Sequence, residues 1–265
     1  MRPFTSILDR VRHPWAPRCA APVAPAAAYV SRWEEARRDA FPAVDAYEAA
    51  AGAAIDQEWF HQLGLVTQVV IKPSRTCYQH GRLLYTALVW YARERCHHQL
   101  NIVDTGPARG FSALCMARAL ADAGATGKIA TFDVLAHETP MFWNGIHDTD
   151  GPRSRAQLLA PYRELVEPYV IFHRGNSSRA LQQVAFPRIQ FAFLDSVHTY
   201  DHVMAEFAAV GPRQRAGDIL FFDDYTPKAY PGVVQAANEI CGVHGYAPTI
   251  VTASAERQYL IAEKR

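Results

Sequence analysis

The chain has no hydrophobic run approaching the ~18 to 20 apolar residues that a membrane span needs. It also has no surplus of charge: 27 basic and 26 acidic residues leave a formal net charge of +1 over 265 residues. That balance gives no electrostatic footing for nucleic acid or an anionic membrane surface. There is no Cys-x-x-Cys pair. The five cysteines, at positions 19, 77, 96, 115 and 241, are odd in number and widely scattered. That pattern argues against a disulfide frame or a zinc site and suits reduced thiols in the cytoplasm. Internal repeats are absent, and an Ala/Pro stretch at 20–28 is the sole biased block. The first 30 residues lack the clean apolar core of a signal peptide, because prolines interrupt them and Arg2, Arg10, Arg12 and Arg18 accompany one acid, Asp9. An arm or lid over a site is the reading they favour, with an organelle transit peptide as the alternative.

What is present is an alternation of strands and helices. Residues 31–64 read as helical, opened by Ser31 and rich in Ala and Glu. A further helix is predicted over 79–90, with apolar residues at 83, 84, 87 and 88 on one face. From residue 100 the pattern becomes βα: strands at 101–104, 128–133 and 169–173, with an amphipathic helix over 112–123. Two short apolar runs then stop on acid, Phe191-Ala-Phe-Leu-Asp195 and Asp218-Ile-Leu-Phe-Phe-Asp223-Asp224. Uninterrupted apolar runs of that length read as buried parallel strands. A helix over 233–241 and strands at 249–252 and 258–262 close the chain, the last two as an antiparallel hairpin. The fold class expected is α/β: a doubly wound, mostly parallel seven-stranded sheet with a C-terminal antiparallel hairpin and a helical N-terminal extension. The expected division is 1–65 for the arm and helical extension and 66–265 for the catalytic domain.

In an open α/β sheet the carboxyl ends of the strands face the ligand crevice. If the two acid-tipped strands are neighbours, Asp195, Asp223 and Asp224 meet there. Three carboxylates that close repel unless a cation or a proton sits among them. The first strand runs into Asp104-Thr-Gly106-Pro-Ala-Arg-Gly110-Phe-Ser112. Glycines in such a turn let backbone approach a ligand and aim helix N–H groups at it. The spacing is Gly-x-x-x-Gly, not the Gly-x-Gly-x-x-Gly of dinucleotide binders. Asp104 would repel a pyrophosphate and suits a cationic ligand instead. Asp133 ends the second strand, where a carboxylate takes a ribose diol. An adenosine ligand with positive charge and no phosphate is S-adenosylmethionine.

These residues carry a family resemblance. Asp104 to Ala113 resembles motif I of class I S-adenosylmethionine-dependent methyltransferases, Asp133 stands at the ribose-acid position, and Gly175-Asn176-Ser177 matches the segment beside the adenine. The resemblance implies that Asp104, Thr105, Gly106, Gly110, Ser112, Asp133, Asn176, Ser177 and Asp195 hold the cofactor. Within the superfamily, Leu194-Asp-Ser-Val-His-Thr-Tyr200 and Phe222-Asp-Asp-Tyr225 resemble the metal-dependent small-molecule O-methyltransferases, the macrocin type more than the catechol type. It implies Mg²⁺ or another divalent cation on Asp195, Asp223 and Asp224, chelating an acceptor hydroxyl of a sugar, polyol or small natural product. Magnesium prefers such oxygen ligands and would lower the pKa of the bound hydroxyl.

His198, three residues past Asp195, stands where a lysine acts as base in the catechol and caffeoyl-CoA enzymes. With an unperturbed pKa near 6.5, imidazole can take a proton at neutral pH. The catalytic residues expected are therefore His198 and Asp195. The alternative uses are structural: His198, Asp223 or Asp224 capping the following helix, and Asp195 bonding its own turn. Lys72, Arg75 and His80 precede the first strand and are candidates for the acceptor wall. The long stretch from Leu135 to Pro161 carries Met141-Phe-Trp143-Asn144, His137 and His147, which suit stacking on an acceptor ring. Its Arg153 and Arg155 suit surface ion pairs, or an acidic acceptor. His97-His98 lacks metal-ligand spacing. A homo-oligomer is compatible with the sequence. Two rival functions remain: a methyltransferase fold that binds without chemistry, and a nicotinamide-dependent oxidoreductase.

Overall fold

The computed structural model describes residues 19–95 and 99–265. The arm ahead of Cys19 and the His97-His98 pair lie outside the described residues. The helical extension comprises α1 (Ala26–Arg38), α2 (Pro42–Ala51) and α3 (Gln57–Thr67), followed by α4 (His80–Arg95). The βα region runs β1 (Leu100–Thr105), α5 (Phe111–Asp122), β2 (Gly127–Asp133), α6 (Arg155–Leu159), α7 (Arg163–Tyr169), β3 (Val170–Arg174) and α8 (Ser177–Ala180). It continues with β4 (Phe191–Leu194), α9 (Tyr200–Val210), β5 (Ile219–Phe222), α10 (Pro231–His244), β6 (Tyr246–Ser254) and β7 (Arg257–Lys264).

The seven strands form one sheet in the order β3-β2-β1-β4-β5-β7-β6. β1 to β5 are parallel, and β7 runs antiparallel to both β5 and β6. The acid-tipped strands are neighbours, with Leu194 opposite Phe222. Chain order reverses between β1 and β4, so the crevice of a doubly wound sheet falls at their carboxyl ends. Only Ala255 and Glu256 separate the hairpin strands, and both strands are longer than the sequence suggests, because their mutual ladder runs from Tyr246 opposite Lys264 to Ser254 opposite Arg257 and takes in flanking polar residues.

β4 and β5 are apolar throughout because both of their faces are covered. Phe191, Phe193, Ile219 and Phe221 turn to a core shared with Leu84, Leu88, Phe111 and Leu114. The alternate residues Ala192, Leu194, Leu220 and Phe222 turn to a second core with Val203, Phe207, Val233 and Ala236. The extension joins the first core through Tyr29, Val44, Phe60 and Leu63, all fully buried. A buried ion pair between Arg82 on α4 and Glu48 on α2 ties the two regions further. No helix among the described residues is long and apolar enough to cross a membrane.

Candidate active site

The turn after β1 is shaped by what stands opposite it. Gly106 has φ +75, and a Cβ there would lie 2.3 Å from the carbonyl oxygen of Asp195. Only glycine lets the β1 turn approach the end of β4 so closely. Thr105 fastens the same junction: its hydroxyl accepts the Asp195 N–H at 3.1 Å and lies 3.3 Å from Glu206 Oε2. Gly110, also at positive φ, starts α5.

Asp133 pins the turn from the β2 side. Its Oδ2 accepts the Ala108 N–H at 3.0 Å and Arg155 Nη2 at 2.9 Å, and its Oδ1 accepts the Leu135 N–H at 2.9 Å. Arg155 is 1% exposed, so the surface ion pair expected of it is not what forms. It is drawn inward by the Asp133 carboxylate and also donates to the Ala108 carbonyl. Arg153 does make the surface pair, with Asp150 at 3.0 Å. Burial raises the Asp133 carboxyl and Arg155 opposes that rise.

Gly106, Ser112, Asp133, Asn176, Ser177 and Asp195 line one cleft at the crevice. The remaining expected cofactor residues lie beneath it. Asp104 is fully buried; its Oδ2 accepts the Ser112 hydroxyl at 2.9 Å, and its Oδ1 has no hydrogen-bond partner among the described residues. Burial pushes its pKa to about 7. On the far side, Ser177 lies 3.0 Å from His202 Nε2 and 3.2 Å from the Ser196 hydroxyl. His202 and Ser196 both reach Glu206, which is buried on α9. Sequence reading missed this network, although His202 and Glu206 show the i, i+4 spacing of one helix face.

The acid cluster stands in the same cleft, together with His198, Lys72, His80 and Tyr230. His198 Nε2 lies 3.0 Å from Asp195 Oδ1 and 3.3 Å from Asp224 Oδ2. Burial works to lower the His198 pKa, but the bond and charge of Asp195 outweigh it and the net shift is upward. Asp195 is pushed well above the carboxylate range by burial and by the charge of Asp223. Burial and Asp223 also raise Asp224, to about 6.

The cluster does not lack a counter-charge. Arg257, the first residue of β7, pairs with Asp223 Oδ2 at 2.7 Å and also with Asp224 Oδ1. Its charge holds Asp223 below the usual carboxylate range against the pull of burial. The other Asp223 oxygen accepts the Asp224 N–H at 2.8 Å. Lys72 faces the same group, lowered first by burial and then by Arg257, with Asp224 opposing.

The magnesium site expected on Asp195, Asp223 and Asp224 is therefore not the arrangement that forms. Asp223 is committed to Arg257 and to backbone. The groups that do converge are Asp195, His198 and Asp224, with one atom of each within 4.8 Å of the others. Two carboxylates and an imidazole are a poor match for magnesium, which favours oxygen ligands alone. A fixed guanidinium on Asp224 adds repulsion to any metal placed there.

The expected acceptor wall is divided. Lys72 and His80 line the cleft, whereas Arg75 pairs with Asp39 at the C-terminal end of α1. His80 is fully enclosed, stacks on Phe193 at 5.8 Å, and is held neutral by burial with a pKa of about 4. The aromatics of the long loop are also placed elsewhere. Trp143 donates to the Arg153 carbonyl at 2.7 Å, His137 stacks on Phe172, and Asn144 bonds to Tyr29 and Ile71. That loop docks on the extension and gives the cleft only Leu135.

Residues 103–225, which contain the turn, Asp133, the Asn176-Ser177 segment and both acid-tipped strands, match the family described as a methyltransferase domain. No curated protein sequence matches the chain. Several solved structures share the chain's fold at low identity. The O-methyltransferase NovP is 15% identical with a TM-score of 0.54, over 72% of this chain and 81% of its own. The O-methyltransferase TomG from Streptomyces achromogenes, involved in tomaymycin synthesis and solved with S-adenosylmethionine, is 16% identical. It aligns with a TM-score of 0.52 over 80% of this chain and 92% of its own. Cofactor-bound Rv0187 from MTB is 16% identical with a TM-score of 0.53, over 84% and 90% of the two chains.

Proposed function

We propose that the protein transfers the methyl group of S-adenosylmethionine to a hydroxyl of a small molecule, a sugar, polyol or natural product. The observation that carries this reading is the Asp195–His198 pair, at 3.0 Å, in the same cleft as the Gly106 turn and Asp133. A sulfonium methyl is already activated, so the enzyme must align donor and nucleophile and accept one proton. The acceptor oxygen attacks the methyl carbon, and the carbon–sulfur bond breaks with its electron pair passing to sulfur. The hydroxyl proton passes to the His198–Asp195 pair, where the carboxylate stabilises the imidazolium that forms.

The geometry supports the cofactor roles. Asp133 retains lone pairs for a ribose hydroxyl beyond the bonds it makes to the turn. Asp104, with an unused oxygen beneath the turn, suits the cationic end of the ligand, and Ser177 and Asn176 border the opposite end. Transfer to oxygen is in keeping with NovP and TomG, both O-methyltransferases, the second involved in tomaymycin synthesis.

The test is transfer of labelled methyl from S-adenosylmethionine to a panel of hydroxylated acceptors, followed by mass spectrometry of the product. Ether formation supports the reading. Cofactor binding without transfer to any acceptor, and with no effect of His198→Gln on the protein's behaviour, would favour a binding protein instead.

A further inference from the structure

The acid cluster is balanced by protein groups. Three carboxylates, Asp195, Asp223 and Asp224, meet Arg257, Lys72 and the proton-binding His198 within one cleft. Arg257 holds its place by construction. The antiparallel register sets Phe222 opposite Leu260, so the first residue of β7 must lie beside the acids that follow β5. The guanidinium bridges the two acids, Nη1 donating to Asp224 Oδ1 and Nη2 to Asp223 Oδ2, each a charge-assisted hydrogen bond. The guanidinium also sits over the Tyr259 ring, with Cζ 5.7 Å from the ring centroid. Arg257 Nε is buried without a hydrogen-bond partner among the described residues.

We propose that Arg257 is the resident cation of this cluster in place of a divalent metal. Methyl transfer then proceeds without Mg²⁺, and the acceptor needs one hydroxyl rather than a chelating pair. The proposal rests on the methyltransferase reading above but makes a separate demand. A metal that chelates the acceptor requires two neighbouring acceptor oxygens to fill its open positions. A guanidinium fixed on Asp223 and Asp224 offers N–H donors instead, and one hydroxyl oxygen can accept from such a donor while its proton goes to His198. The bonds made and broken are those of the reaction above, with no further reactant.

The experiment has one arm that needs no activity. Mn²⁺ titrated into the full chain, with S-adenosylhomocysteine present and free Mn²⁺ read by electron paramagnetic resonance, should show no stoichiometric site in the wild type. Arg257→Ala frees both carboxylates and should gain one Mn²⁺ per chain, whereas Arg257→Lys should remain without one. Circular dichroism and cofactor binding by calorimetry check that each variant is folded. In the activity arm, EDTA should change kcat/KM by less than twofold. A monohydroxy acceptor and its vicinal-diol analogue should be turned over within tenfold of each other. A stoichiometric Mn²⁺ site in the wild type, or turnover confined to the diol and abolished by EDTA, overturns the proposal. Failure to bind S-adenosylmethionine would overturn the methyltransferase reading, while the Mn²⁺ arm would still report on Arg257.

Discussion

Asp104 carries the clearest pH signature at the scale of single residues. Its pKa of about 7 in the folded protein lies above the 3.8 of an exposed aspartate. Below pH 4 both states are protonated, and its contribution to stability is fully present. Between pH 4 and 7 the unfolded chain ionises first, so that contribution falls as pH rises, by on the order of 3 to 4 kcal/mol in all. Asp104→Asn removes this cost and should stabilise the free protein at pH 8, measured by urea denaturation. It should also weaken S-adenosylmethionine binding and remove the tightening that calorimetry should show between pH 6 and 7.5 in the wild type. His198 has the opposite use for its shift. Its pKa is raised, and a base must be unprotonated, so kcat/KM should climb with pH through an acid limb above the usual imidazole value. His198→Gln should lower kcat by about 10² to 10⁴ and abolish that limb, with cofactor affinity retained.

At the scale of elements, the site depends on turns and strand ends that hold one another. Gly106→Ala adds a Cβ where the Asp195 carbonyl already stands and also forces an unfavourable φ. The cost should be about 2 to 4 kcal/mol, with cofactor binding lost in the folded fraction, measured by denaturation and calorimetry together. The Asp133–Arg155 pair fixes the β1 turn from the other side. Arg155→Met leaves a buried carboxylate alone and should cost about 3 to 5 kcal/mol, and Asp133→Asn in the same chain should recover part of it. A double-mutant cycle with coupling near zero would contradict the role given to this pair. The extension acts on the site through α1, where Arg32 donates to the carbonyls of Lys72 and Ser74 and so holds the segment that presents Lys72.

At the scale of the whole molecule, the parts that could be read from the sequence are those where one chemical pattern has one structural meaning. Apolar runs such as Phe191–Leu194 must be covered on both faces, so the parallel sheet and the meeting of Asp195 with Asp223 and Asp224 followed directly. The Gly-x-x-x-Gly turn and Asp133 could be placed because strand ends define the crevice. Arg257 could not be read as their partner. It lies 33 residues beyond Asp224, and only the register of a β5–β7 pairing brings it back. The expected hairpin pairs only the last two strands and leaves that register open, and a single strand-opening arginine carries no signal of its own. Arg155 was assigned to the surface because arginine is seldom fully buried, and only the folded position of Asp133 shows why this one is. The loop aromatics looked like an acceptor platform, yet Tyr29 and Ile71 draw Asn144, and the loop with it, onto the extension.

All three scales converge on one claim, that the cleft at the β1–β4 switch binds S-adenosylmethionine for transfer. The most direct test is a calorimetric titration of S-adenosylmethionine into the full chain and into Gly106→Ala. The account predicts one-to-one saturable binding to the wild type and none to the variant. Absence of binding to the wild type, or equal binding to both, would contradict it.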